Sequence, residues 1–201
     1  MKCYQCGNED ERYFAYDKGV YYCRKCVAFG RMDAYVRKES CHLSTRVIEV
    51  SPQLKYELTD KQKAISHKIV EYLKQKKDVF VYAATGAGKT ESVFECICFY
   101  LSQGKKVGFA ISRRQVVLEI AQRLRQAFPT LHVVEVTQGY TTITDGDIIV
   151  CTMHQLYRYP DGFDLLIMDE VDAFPYCGNE VLNKIVMDAC CGEPVRVKEF
   201  C

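Results

Sequence analysis

Residues 81–92, VYAATGAGKTES, set a glycine-rich turn between an apolar run and a segment that reads as a helix. Thr85, Gly86, Ala87, Gly88, Lys89 and Thr90 can turn their backbone N–H groups inward around a phosphate at the amino end of that helix. In such a loop Lys89 reaches the β- and γ-phosphates of a nucleotide, and the Thr90 hydroxyl ligates magnesium. The pattern G-x-x-x-x-G-K-[ST] is met except at its first position, which is Ala83. A glycine-rich turn also arises by chance, so a second motif carries the argument. FDLLIMDEVD, residues 163–172, reads as an apolar strand ending in Asp169, Glu170 and Asp172. In a parallel sheet its carboxylates emerge on the same edge as the loop. There Asp169 would hold magnesium through water, and Glu170 would polarise an attacking water. An acidic cluster after a strand is otherwise a solvated turn or a cap.

Working outward from the loop, apolar runs at 79–83, 107–111, 133–136, 148–151 and 165–168 alternate with helical patterns at 90–101, 115–128, 153–157 and after Asn179. This alternation predicts an α/β fold, with parallel strands joined by crossover helices and buried on both faces. Upstream, Thr59 to Gln62 has the spacing of a capping box, and Ile65, Ile69, Tyr72 and Leu73 share one helical face. Residues 41–58 contain a short β-branched run followed by Ser51-Pro52, and read as a linker or hairpin.

The first 40 residues form a separate compact module in this reading. CYQC and CRKC place Cys3/Cys6 and Cys23/Cys26 as two Cys-x-x-Cys knuckles. Two knuckles complete a closed tetrahedral zinc site, structural rather than catalytic because no coordination position stays open. A redox pair would need only one knuckle. Gly7 supplies the permissive backbone of the first turn, and Lys2, Arg24 and Lys25 offset thiolate charge. Tyr21, Tyr22 and Arg24 could stack on and neutralise a nucleic acid, or shield the metal. The remaining cysteines of the 12 lack knuckle spacing and read as core or incidental thiols.

Composition narrows the class. With 48% hydrophobic and 26% charged residues, neither disorder nor a membrane bundle is expected, and no run is long enough to span a bilayer. The amino terminus lacks the apolar core of a secretory signal, so a cytoplasmic location is expected, where thiols stay reduced. A net charge of +1 leaves nucleic-acid affinity to local patches.

The loop A-x-T-G-x-G-K-T and the acidic D-E-x-D resemble the first RecA-like lobe of superfamily-two helicases and translocases. The four-cysteine module, LTDKQ, ATGAGKTE, the Thr152-Met153-His154-Gln155-Leu156 segment and DLLIMDEVDAFPY together resemble the ComFA family of late competence ATPases. The resemblance covers the chain to about Val186. It implies the domain order 1–40 zinc module, 41–58 linker and 59–201 first motor lobe. It further implies ATP, Mg2+ and Zn2+ as ligands and single-stranded DNA as track. The function it implies is uptake of transforming DNA, with ComFC, DprA and the membrane DNA channel as partners at the inner face of the cell membrane.

Carried over by residue, the resemblance makes Gln62 an adenine-recognising amide, against its alternative as the capping partner of Thr59. Ser112, Arg113 and Arg114, then Thr137 and Gly139, then Thr152, His154 and Gln155 match three segments that track the phosphates of a single strand. The arginines read equally as a solvated helix start, and His154 as an ordinary loop histidine. Family members continue into a Thr-Ala-Thr strand and a second lobe bearing an arginine finger. The segment DACCGEPVRVKEFC, residues 188–201, shows neither that motif nor a clean apolar run. The expectation is therefore a truncated or frame-altered product with weak or no hydrolysis. A primosomal or restriction-type motor lobe, and a non-catalytic zinc and nucleic-acid adaptor, are the alternatives.

Overall fold

The computed structural model describes all residues except 38, 85–87, 139–142, 170–177 and 201, and describes only the backbone of 83, 84 and 193–200. Its centre is a six-stranded, wholly parallel sheet in the order β3-β8-β7-β4-β6-β5. These strands are β3 (Val79–Ala84), β4 (Val107–Ile111), β5 (Val133–Val136), β6 (Ile148–Thr152), β7 (Phe163–Asp169) and β8 (Cys190–Phe200). The helices are α1 (Asp60–Lys74), α2 (Lys89–Ser92), α3 (Phe94–Leu101), α4 (Arg114–Ala127) and α5 (Glu180–Ala189). A two-stranded hairpin, β1 (Phe14–Asp17) and β2 (Val20–Cys23), lies in the amino-terminal module.

Successive side chains of a strand point to opposite faces, and the sheet divides its apolar residues accordingly. Val107, Phe109, Ile111, Ile148, Val150, Leu165 and Ile167 join the buried faces of α1, α3 and α4 in one core cluster. Ala110, Ile149, Cys151, Leu166 and Met168 face the other way, into a second cluster. That cluster is closed by α5 and by a 3-10 helix, Met153–Arg158. Both faces are thus covered over β4 to β7, while Phe80 and Tyr82 of β3 stay exposed.

Strand β8 departs from expectation. Residues 190–200 lack a clean apolar run, yet they occupy an interior position, hydrogen-bonded to β7 on one side and β3 on the other. Pro194 and the charged residues hid the strand, because an interior strand has little place for proline except beside a bulge. Such an irregularity is present: Phe163 pairs with Cys190 but Leu165 with Glu193. Gly192 sits at this shift, where a Cβ would lie 1.8 Å from the Asp164 carbonyl oxygen.

Residues 41–58 hold neither helix nor strand. They run as an extended strap along the amino-terminal edge of the sheet. Cys41 N–H donates to Pro160 O, Ile48 N–H to Leu101 O and Gln53 N–H to Ala127 O, at 2.7, 2.9 and 2.7 Å. Ile48, Val50 and Leu54 pack against the first core cluster. Polar clamps complete the attachment. Asp145 accepts from Ser44 N–H and Oγ–H and from the buried Lys106 Nζ, while Asp147 takes the Arg46 guanidinium. No helix among the described residues is long and apolar enough to cross a membrane.

The Asp145 clamp gives a pH-dependent prediction. Burial alone would raise its pKa, but the Ser44 donors and the Lys106 ammonium hold it at about 2. The folded value lies below the unfolded one of roughly 4, so this stabilisation is present above pH 4 and lost as pH falls towards 2. Removing one partner of a buried pair costs about 3–5 kcal/mol, and partial solvent access reduces that here to about 2 kcal/mol. Asp145→Asn should lower the urea midpoint at pH 7, and the gap from the parent should close as the titration approaches pH 2–3.

Candidate nucleotide site and cysteine cluster

The nucleotide loop starts where β3 leaves the sheet. Thr85, Gly86 and Ala87 lie outside the described residues. Gly88 has φ 71° and ψ 40°, a left-handed conformation that favours glycine, and it caps α2. Its carbonyl accepts from Ser92 N–H and Ser92 Oγ–H. Ser66 Oγ on α1 donates to Ser92 O at 2.7 Å, which fixes the short helix against the domain. Thr90 is buried and Lys89 half-buried.

Gln62 resolves its two expected roles unevenly. Its Oε1 accepts from Thr59 N–H at 2.8 Å and Thr59 Oγ accepts from Gln62 N–H at 3.3 Å, so the capping box forms. The other end of the amide turns to the loop: a Cβ on Gly88 would lie 2.2 Å from Gln62 Nε2. One side chain therefore joins the start of α1 to the phosphate loop.

Asp169 ends β7 at the same carboxyl edge. In the sheet register it pairs with Val197, which pairs in turn with Val81, so the carboxylate and the strand feeding the loop are level across β8. Glu170 lies outside the described residues.

The remaining predicted positions follow the ends of three adjacent strands. Ile111 pairs with Thr152, and Val136 with Cys151, so Ser112, Thr137 and Thr152 line the same edge. Arg113 and Arg114 are exposed at the start of α4. By contrast Thr137, Thr152 and Gln155 are buried, the last with its Oε1 unpartnered. Gly139 lies outside the described residues.

In the amino-terminal module, Cys3, Cys6, Cys23 and Cys26 present Sγ atoms that all lie within 4.8 Å of one another. Cys3 and Cys26 are 3.6 Å apart, and Cys6 and Cys23 are 3.7 Å apart. Thiol hydrogen bonds from Cys26 and then Cys6 hold Cys3 well below the usual thiol range, while the Cys6 and Cys26 thiols are pushed up. The first knuckle is a turn closed by Gly7 N–H to Cys3 O, with Gly7 at φ 73°. The second opens a 3-10 helix, Arg24–Phe29. Four convergent thiols with three of them fully buried suit a closed tetrahedral thiophilic ion such as zinc. Elsewhere Cys96 and Cys151 are buried in the two cores, and burial pushes Cys151 up to about 12. Cys177 and Cys201 lie outside the described residues. Tyr21 is exposed and pairs with Tyr16 at 5.0 Å, while the Arg31 guanidinium lies 4.6 Å over Tyr22.

Sequence reasoning missed how this module meets the lobe. Phe29, at 5% exposure, belongs to the second core cluster of the sheet. Its ring stacks on His154, with centroids 5.3 Å apart and an interplanar angle of 16°. Burial accordingly lowers the His154 pKa. The only signal was an aromatic residue and a glycine just after the second knuckle.

A family model described as Type III restriction enzyme, res subunit, matches residues 55–186, more than half of the chain. The chain belongs to this family. It is also similar to competence protein ComFA of Bacillus subtilis (strain 168), 35% identical over 200 residues. That match covers 94% of this chain and 42% of the relative. ComFA of Streptococcus pneumoniae (strain ATCC BAA-255 / R6) is 34% identical over 179 residues, or 85% of this chain and 39% of the relative. The chain thus spans about two fifths of the length of these relatives.

Among solved structures, the Sulfolobus solfataricus SWI2/SNF2 ATPase core in complex with dsDNA matches with a TM-score of 0.57 at 17% identity, over 72% of this chain and 32% of that one. The UvsW helicase from bacteriophage T4 matches at 0.56 and 12%, over 75% and 56%. The fold is therefore a RecA-like lobe of the helicase type, preceded by a four-cysteine module.

Phe29 gives the test of module docking. Truncating a buried phenylalanine costs about 3–5 kcal/mol. Phe29→Ala should free the module and expose residues 30–41 to limited proteolysis, whereas Phe29→Leu should retain most of the protection.

Proposed function

We propose that this chain is the nucleotide-binding lobe of an ATP-driven motor that acts on single-stranded DNA during uptake of transforming DNA. The observation that carries the reading is the level register of Val81 and Asp169 across β8, with left-handed Gly88 opening the helix after the loop. In this proposal residues 85–90 cradle the phosphates of ATP, and Lys89 contacts the β- and γ-phosphates. Thr90 and Asp169 hold magnesium, and Glu170 orients the attacking water. When bound, magnesium supplies charge neutralisation at the transferring phosphoryl group. Gln62, whose Nε2 lies beside Gly88 while its Oε1 serves the cap, is the residue proposed to meet adenine.

Ser112, Arg113, Arg114, Thr137, Gly139, Thr152, His154 and Gln155 form the proposed DNA-contacting edge. Hydroxyls, backbone amides and arginines suit phosphates without reading bases. The buried members of the set would act through their backbone or by holding the edge in shape. Cys3, Cys6, Cys23 and Cys26 hold a structural zinc. ComFC, DprA and the membrane DNA channel are the proposed partners, at the cytoplasmic face of the membrane. Restriction-type motors share the lobe, but similarity to ComFA over 94% and 85% of the chain favours the competence role.

These residues supply one wall of a motor site. An arginine presented from the opposite wall contributes on the order of 10³–10⁵ to the rate in related phosphate-loop enzymes. The 201-residue chain alone should bind ATP with magnesium and turn it over near the blank, with and without single-stranded DNA. Lys89→Ala should weaken binding at least tenfold. Unchanged affinity in that variant contradicts the nucleotide assignment, and DNA-stimulated turnover by the parent contradicts the one-wall account.

A further inference from the structure

The seam between the cysteine module and the lobe encloses a cavity of about 530 Å³, within the size range of small-molecule sites. Tyr4 and Gln5, the residues inside the first knuckle, line one wall, and Tyr157 lines the other. Lys2, Arg37 and Lys184 supply its cations. Gln5 is 7% exposed, and both its Oε1 and Nε2 are buried without a hydrogen-bond partner. An amide left in that state is a cost to folding. An apolar residue would fill the position without that cost, so the amide calls for a ligand with both a donor and an acceptor.

The surroundings narrow the ligand. Arg37 lies 5.2 Å and Lys2 5.9 Å from the Tyr4 ring centre, a cation-and-aromatic pairing of the kind that holds bases and their phosphates. Two acidic residues also line the cavity, but each has a partner: Asp188 pairs with Lys184, and Asp161 accepts from Ser40 Oγ. Lys2 pairs with Glu9, both well exposed. Exposed pairs of this kind are weak and can be displaced by a phosphate. Tyr157 belongs to the same 3-10 helix as His154, three residues on, a rise of about 6 Å. Past Tyr157 the lobe wall runs through Pro160, Asp161 and Asp188 towards the amino edge of the sheet.

We propose that this cavity receives one unstacked base of a single strand, with the Gln5 amide paired to the base edge and Arg37 on the adjoining phosphate. This rests on the reading of the lobe as a single-stranded-DNA motor. It gives the module a base contact of its own, apart from the carboxyl edge proposed to hold phosphates.

The test compares binding of the zinc-loaded chain to an oligothymidylate and to an abasic strand of equal length, by fluorescence anisotropy. The parent should bind the base-bearing strand about tenfold more tightly. Gln5→Leu should abolish that preference while zinc content and thermal midpoint hold, because it removes an unpaired buried amide. Arg37→Ala, at an exposed position, should weaken binding to both strands alike. Equal affinity of the parent for the two strands overturns the base pocket and leaves the motor reading intact. A preference that persists in Gln5→Leu does the same. Binding to neither strand overturns the motor reading, and the pocket with it.

Discussion

A parallel sheet whose strands β4 to β7 are covered on both faces is the constraint on which the rest of this molecule depends. Because α1, α3 and α4 cover one face and α5 with the Met153–Arg158 turn covers β4 to β7 on the other, few polar groups lie within the layers. They gather where strands end. The amino edge is occupied by the strap, with Asp145 and Asp147 as its anchors. The carboxyl edge is left for Gly88, Lys89, Thr90, Asp169 and the strand ends that carry Ser112, Thr137 and Thr152. The proposed chemistry is thus a consequence of burial: a loop of backbone donors can meet a charged ligand only where the sheet stops.

Strand β8 gives that edge its spacing. It separates the strand that feeds the phosphate loop from the strand that carries Asp169, so two motifs distant in sequence become level in space. The cysteine module adds a second level of organisation. Phe29, on the same 3-10 helix as Cys26, enters the core of the lobe and stacks on His154.

Much of this was legible in the sequence because local chemistry encodes it. The five apolar runs appear as β3 to β7, and the two knuckles bring their four thiols together. The Thr59 to Gln62 spacing gives a capping box. What escaped depends on partners far along the chain. Residues 190–200 are a strand because two neighbours supply their hydrogen bonds, against the local signal of Gly192 and Pro194. The strap at 41–58 has no periodicity to read, since its backbone bonds go to helix ends and turns of the lobe. Gln62 has a role at each end of one amide, which spacing alone presents as a choice. His154 is held by an aromatic ring 125 positions earlier, and no local pattern announces it.

The central claim, that nucleotide binds where β3 and β7 end, is tested most directly by amide hydrogen exchange of the zinc-loaded chain with and without magnesium and ATP. The account predicts new protection in residues 83–92 and at the end of β7 around Asp169, with the strap unchanged. No protection at either strand end, or protection confined to the amino edge under the strap, would contradict it.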